Sequence, residues 1–171
     1  MTRTTNSRLA GVTFLFYFVA GMASLNMPGR GVLTLFTSMS ALVLGVTLYA
    51  LTREQDPDLA LLALTCRVVE AMPATVHRSA IFFAVGSTIF SWLLLRGRMI
   101  PAALGWLGVI GSALLVVILP LQSAGLLGGP MGWSASKTWL VWMPVAVFEL
   151  ALAVWLLVKG AAAPALISGK A

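Results

Sequence analysis

Three charged side chains lie inside long apolar stretches of this 171-residue sequence, and they are the first candidates for chemistry. Arg67 and Glu70 are three residues apart in one stretch, and Glu149 lies in another near the end of the chain. A charged side chain in hydrocarbon costs at least about 2.5 kcal/mol, so each should face the interior of a helix bundle and find a partner there. Because residues i and i+3 of a helix share a face, Arg67 and Glu70 can pair directly.

The rise of an α-helix predicts that the three charges lie at similar depths in a membrane. Arg67 follows Asp58 by nine residues and Glu149 precedes Lys159 by ten. At 1.5 Å per residue, Arg67, Glu70 and Glu149 lie roughly 13, 18 and 15 Å from one membrane boundary. We therefore expect Arg67 to lie between the two carboxylates. If all three are ionised, the cluster has one net negative charge, which favours a bound proton or a cationic or donor-rich guest. The alternative interpretation is a salt bridge that only fixes how two helices pack.

Two prolines flank these charges. Pro73 follows Glu70 by three residues, and Pro144 precedes Glu149 by five. Proline lacks a backbone donor and can leave the carbonyl four residues earlier without its helical bond. We interpret both as candidate helix kinks, and interrupted helices near the mid-membrane form the binding sites of many transporters. Ordinary kinking without a functional role is the alternative interpretation.

Other candidate sites have weaker support. His77 could ligate haem, but a lone histidine at a segment end is more typical of an interfacial polar cap. Spaced sets of metal ligands, phosphate-binding loops and nucleophile motifs are missing from the sequence, so we predict no metal and no cofactor. Gly105, Gly108, Gly111 and Ser112 form a small-residue face, which predicts a close contact between helices.

The elements that must position these residues follow from the composition. The chain is 60% hydrophobic and 9% charged, with a mean hydropathy of +0.98. A soluble domain carries about 25% charged residues, so a soluble fold is excluded, and disorder is excluded because apolar residues are too abundant. About 20 apolar residues span a bilayer. The sequence predicts six such helices in one all-α domain over residues 1–171, a transmembrane bundle with helices at about 9–25, 31–51, 59–76, 79–95, 100–121 and 138–158.

The distribution of cations predicts the orientation. One side collects seven, at positions 3, 8, 53, 96, 98, 159 and 170, and the other three, at 30, 78 and 137. Positive residues favour the cytoplasmic side, so we predict a bacterial inner-membrane protein with both termini in the cytoplasm. A competing interpretation takes residues 1–23 as a cleaved signal peptide. The cations stand singly at segment ends, which excludes nucleic-acid binding. The lipid bilayer is the predicted partner, and oligomerisation is left open.

Several of these residues resemble a known family. The relevant segments are Arg8-Leu-Ala-Gly11 with Tyr17 and Gly21, Arg67-Val-Val-Glu70-Ala71, and Glu149-Leu-Ala-Leu-Ala-Val-Trp155-Leu-Leu-Val-Lys159-Gly160. They are similar to the bacterial multi-pass family known as domain of unknown function 4386. Cys66 stands where that family more usually has an aromatic residue, and the link between the first two helices is shorter than is typical. The resemblance implies a six-helix membrane protein and singles out Arg67, Glu70 and Glu149, but it implies no activity.

Three functional hypotheses follow. We favour a membrane protein that binds or moves a small amphipathic or cationic molecule at Arg67, Glu70 and Glu149. The second is an intramembrane enzyme that uses a protonated Glu70 or Glu149 as general acid on a lipid or isoprenoid. The third is a structural or partner subunit, with the small-residue face of the fifth helix as its docking surface.

Overall fold

The computed structural model describes residues 2–26, 30–72, 76–127 and 139–164, and all regular secondary structure in these ranges is α-helical. The helices are α1 (Arg3–Asn26), α2 (Arg30–Thr52), α3 (Pro57–Glu70), α4 (Val76–Arg96), α5 (Ala102–Ser123) and α6 (Trp139–Val158). The predicted all-α architecture with six helices is confirmed.

The helices form a closed ring in which each packs against its neighbours in sequence and α6 returns to pack against α1. Two buried apolar clusters fill the ring. The first includes Phe14, Leu48 and Phe148, and the second includes Phe83 and Trp142. Because the ring closes, residues far apart in sequence face one interior.

Within the described part of the chain, three helices are long and apolar enough to cross a membrane, namely Gly31–Thr52, Ala102–Ser123 and Trp139–Val158. The apolar part of α4, Ala80–Arg96, is shorter. Large apolar side chains also cover the outside of the ring, among them Phe16, Ile110 and Leu140. Exposed apolar surface on this scale marks a membrane or partner contact in a folded protein. Together with the apolar helices, it indicates a membrane protein.

The third helix is shorter than the predicted segment at 59–76. It begins with Pro57 in its first turn after Asp56, whose side chain accepts a hydrogen bond from the Leu59 N–H at 3.1 Å. It ends at Glu70, where the Met72 N–H donates to the Val69 carbonyl at 3.2 Å. Proline disfavours helical geometry in the residue before it, so the helix ends ahead of Pro73. Pro73 itself, a predicted kink, lies outside the described residues.

The sixth helix continues through Pro144 as one element from Trp139 to Val158. A Cβ atom added to Gly111 on α5 would lie 3.1 Å from the Pro144 Cβ, so the proline packs directly against the glycine. The helix is therefore continuous at Pro144, and the kink predicted there stays a prediction. Close packing on α5 accommodates a residue that would be unfavourable in an isolated helix.

The segment after α6 is tied across one end of the ring. Gly160 has a φ of +75°, which suits glycine at a helix C-terminus and turns the chain. The Ala161 N–H then donates to the Ser7 hydroxyl at 3.1 Å, and the Ala162 N–H donates to the Met99 carbonyl at 3.0 Å. These bonds join the start of α1 and the α4–α5 connection to the segment that follows α6.

Candidate functional site

Arg67 lies at the centre of the candidate site and is 1% exposed. It occupies the last turn of α3, where the helix dipole favours a cation. Its Nη1 donates a hydrogen bond to Glu70 Oε2 at 2.8 Å. Its Nη2 donates to the Ser87 hydroxyl of α4 at 3.1 Å and lies 3.8 Å from Glu149 Oε1 of α6. The structure therefore brings together the three charged residues that the sequence singled out.

The two carboxylates are not equally paired. Glu70 accepts from Arg67 through one oxygen and from the Tyr17 hydroxyl of α1, at 2.7 Å, through the other. Glu149 is 4% exposed, and its Oε1 accepts no hydrogen bond from any described residue. The positive charge of Arg67 is thus directed mainly toward Glu70. Glu149 is the carboxylate with an acceptor still unused.

Two glycines allow the neighbouring helices to approach Arg67 closely. A Cβ atom added to Gly45 of α2 would lie 2.9 Å from the Arg67 Cβ. One added to Gly86 of α4 would lie 3.1 Å from the Cys66 Cβ and 3.8 Å from the Arg67 Cγ. The Gly45 distance is shorter than real Cβ contacts, and the shorter Gly86 distance is tighter than most of them. Both glycines therefore let the neighbouring helices pack closely on α3 around Arg67.

Aromatic rings bound one side of the guanidinium group. The Arg67 Cζ lies 4.9 Å from the centre of the Phe83 ring, a distance at which a cation is attracted to the ring face. The Tyr17 ring stacks on Phe83 with centroids 6.5 Å apart, and Trp142 lies 5.6 Å from Phe83 in a tilted arrangement. The Phe83 ring of α4 thus covers the guanidinium group, and rings of α1 and α6 pack on Phe83.

A cavity of about 10 Å³ lies beside the cluster. Its polar lining residues are Arg67, Ser87, Ser91 and Glu149, and the remainder of its wall is apolar. A cavity of this size holds about one water molecule. A larger amphipathic molecule therefore does not fit beside Glu149 in this conformation.

Reasoning from the sequence did not identify four of the site residues as ligand or positioning groups. These residues are Tyr17, Phe83, Ser87 and Ser91. A signal was present for the serines, because they are four residues apart in an apolar helix and so share a face. Tyr17 featured only in the family resemblance. Its contact with Glu70 links residues 53 positions apart, which no local pattern predicts.

The small-residue face of α5 is buried within the chain. Added Cβ atoms would collide with Leu95 of α4 at Gly105 and with Phe148 of α6 at Gly108. Ser112 is also buried. The predicted close contact between helices is present, and it is made with α4 and α6 of the same molecule. This face is therefore not available as a docking surface for another subunit.

The remaining candidate, His77, lies in the first turn of α4, and its side chain is outside the described part of the chain. Nothing in the described geometry adds to its interpretation.

The second half of the chain matches a known protein family. The family model described as domain of unknown function (DUF4386) matches residues 73–160, just over half of the chain. The chain belongs to the DUF4386 family. The match covers α4, α5 and α6 and includes Glu149. It ends at Gly160, which is also the last residue of the segment from Glu149 that resembles the family. Arg67 and Glu70 precede the matched residues of this DUF4386 protein. No curated protein and no solved structure matches the chain.

Proposed function

We propose that this DUF4386 protein is a multi-pass membrane protein that binds a small cationic ligand at Arg67, Glu70 and Glu149 and moves it across the bilayer. The unequal pairing of the two carboxylates carries this proposal. Arg67 is bonded to Glu70 at 2.8 Å, whereas Glu149 lies 3.8 Å from the nearest guanidinium nitrogen with an oxygen unused. A buried acid in excess over its countercharges favours a bound proton or cation.

The ligand would compete with Arg67 for Glu149. Arg67 Nη2 lies 3.8 Å from Glu149 Oε1, so the two side chains attract each other by charge but do not form a hydrogen bond. A cationic donor that bonds directly to Glu149 replaces a weak interaction, while Arg67 keeps its bonds to Glu70 and Ser87. Because the adjacent cavity is about 10 Å³, a proton is accommodated in this conformation. A larger cation requires α3, α4 and α6 to separate.

The length of α3 supports a transport function. Its 14 residues extend about 21 Å, less than the hydrocarbon thickness of about 30 Å. The helix ends next to the cluster, at Glu70. Discontinuous helices that end at a mid-membrane charge are the usual construction of transporter sites.

The proposal includes six membrane crossings in a bacterial inner membrane, with both termini in the cytoplasm. It is supported by the seven-to-three distribution of cations. Since α1 supplies Tyr17 to the cluster, we treat α1 as part of the mature protein and not as a cleaved signal.

The other hypotheses receive less support from the geometry. A lipid or isoprenoid does not fit in the cavity beside Glu149, so intramembrane catalysis is not favoured. A role as a partner subunit is not favoured, because the small residues of α5 proposed as its docking surface are covered by other helices of the same chain.

The proposal is tested in liposomes that contain the purified protein and an internal pH-sensitive dye. Guanidinium serves as the probe, because it is a small cation that stays charged and donates hydrogen bonds to carboxylates. Its uptake and the proton flux are measured together. We expect the wild type to accelerate the uptake of the probe, the proton flux or both. Glu149→Gln should abolish this acceleration, because a neutral amide cannot balance the charge of a cation.

Glu54→Gln is the matched control, because Glu54 is 52% exposed and pairs with Arg3 at the end of the ring. It should keep the wild-type rate. Circular dichroism and size-exclusion chromatography check the fold of both variants. A folded Glu149→Gln protein with the wild-type rate would refute the proposal, and a Glu149→Gln protein that cannot fold would favour the packing interpretation.

A further inference from the structure

Three buried polar atoms without hydrogen-bond partners belong to residues that line the same cavity. They are Glu149 Oε1 on α6, the Ser91 hydroxyl on α4 and Arg67 Nε on α3, and none has a partner among the described residues. All three residues are nearly or fully buried. A buried polar group without a partner costs roughly 1–3 kcal/mol. Three such groups around one cavity therefore point to a ligand that satisfies them together.

The size and chemistry of the cavity restrict that ligand. Its volume of about 10 Å³ matches a single water molecule, which requires two to four polar partners. A metal ion is disfavoured because the cavity offers only the Glu149 carboxylate and the Ser87 and Ser91 hydroxyls, fewer oxygen ligands than Mg²⁺ or Ca²⁺ takes. An anion is disfavoured because Glu149 lines the cavity and would repel it.

We propose that this cavity binds one water molecule that bridges α3, α4 and α6. The water accepts the Arg67 Nε–H and the Ser91 hydroxyl hydrogen, and it donates to the Glu149 carboxylate. This arrangement uses three of its four hydrogen-bonding positions. It also gives Glu149 the donor that no described side chain supplies. The inference goes beyond the proposed function, because it requires no transported ligand.

Gly108 of α5 maintains the space around this site. A Cβ atom added there would lie 2.7 Å from the Ser91 hydroxyl oxygen and 2.6 Å from the Phe148 ring. Both Ser91 and Phe148 line the cavity. Glycine at this position therefore lets the serine hydroxyl keep its place in the cavity wall.

X-ray radiolysis of the wild-type protein in detergent tests the site directly. Hydroxyl radicals form from water, so a buried ring is oxidised only where an internal water lies beside it. Phe90 and Phe148 line the cavity, whereas Phe83 is equally buried and does not line it. We expect mass spectrometry to find oxidation at Phe90 and Phe148 and none at Phe83. Equal protection of all three rings would overturn the proposal.

Two serine variants provide an independent readout. Ser91 and Ser112 are both buried with no hydrogen-bond partner among the described residues, but only Ser91 lines the cavity. Ser91→Ala removes a partner of the water and should lower the unfolding temperature by about 2–4 °C. Ser112→Ala removes an isolated hydroxyl and should leave the unfolding temperature unchanged or raise it. The same response in both variants would contradict the bound water. Neither experiment measures transport, so this inference and the proposed function can fail separately.

Discussion

At Arg67 two carboxylates are available to one guanidinium group, and the two are bound differently. Glu70 is three residues away on the same helix and reaches Nη1 at 2.8 Å, whereas Glu149 comes from α6 and remains at 3.8 Å. Tyr17 strengthens this difference, because its hydroxyl occupies the second oxygen of Glu70. The single phenol from α1 therefore helps to decide which carboxylate is left available for a ligand.

This role of Tyr17 gives a prediction at the residue scale. Tyr17→Phe keeps the ring that stacks on Phe83 and removes only the hydrogen bond to Glu70. A hydrogen bond to a charged group contributes about 1.5–3 kcal/mol, so the free energy of unfolding should fall by that amount. Denaturant titration in detergent, followed by tryptophan fluorescence, measures the change.

The chain has one other tyrosine, Tyr49, which serves as the control. Tyr49→Phe should change the free energy of unfolding by less than Tyr17→Phe. If the two variants are equally stable, the Tyr17 hydroxyl does not contribute to the cluster as the geometry indicates.

At the scale of the elements, the cluster depends on a short helix and on close helix packing. α3 ends at Glu70 and places Arg67 in its last turn, where the helix dipole adds to the attraction of the carboxylates. The adjacent helices pack closely on α3 at Gly45 and Gly86, where a side chain would collide or be tightly confined. Helix packing and charge placement are therefore coupled at the same residues.

Gly45→Ala tests this coupling. The new Cβ would lie 2.9 Å from the Arg67 Cβ, so α2 and α3 must move apart. Overpacking of this kind costs about 1–3 kcal/mol, and we expect a corresponding loss in the free energy of unfolding. The same liposome assay should show a reduced rate, because Arg67 is displaced from its partners.

Gly21→Ala on α1 is the matched control, since no atom in the described part of the chain lies within 4 Å of its added Cβ. Alanine is the better helix former by up to about 1 kcal/mol, so this variant should be as stable as the wild type or more stable. A Gly45→Ala protein as stable as Gly21→Ala would show that the approach of α2 to Arg67 has no energetic consequence.

At the scale of the whole molecule, the closed ring places the connections between helices at two ends. The α2–α3 connection lies at the end where the segment after α6 is tied to Ser7, and the chain leaves α5 at the opposite end. Under the proposed orientation, the first of these ends faces the cytoplasm.

Single cysteines in a Cys66→Ser background test this orientation. Arg53 and Ala124 are both exposed, and they lie at opposite ends of the ring. We expect a membrane-impermeant maleimide to label Ala124→Cys in intact cells and Arg53→Cys only after the membrane is opened. The reverse pattern would place the termini on the outside, and labelling of both residues in intact cells would contradict six crossings.

The sequence by itself determined the membrane class, the six helices and the pairing of Arg67 with Glu70. Each depends on local properties, because apolar run length and an i,i+3 spacing follow from helix geometry alone. The expectation that Glu149 lies near Arg67 also followed from the helix rise, and the two side chains are 3.8 Å apart. The family assignment rested on residues that could be recognised without coordinates, and it was confirmed over residues 73–160.

Only the tertiary structure decided which carboxylate oxygen accepts no hydrogen bond from the described residues, which other helices complete the site and how large its cavity is. These features depend on which faces of α1, α4 and α6 meet, as in the bond between Tyr17 and Glu70 and the contact of Arg67 with Ser87. Side-chain patterns along one helix do not encode the distance to another. A cavity of about 10 Å³ arises only when all the surrounding helices are packed, because it is the space that their side chains leave between them.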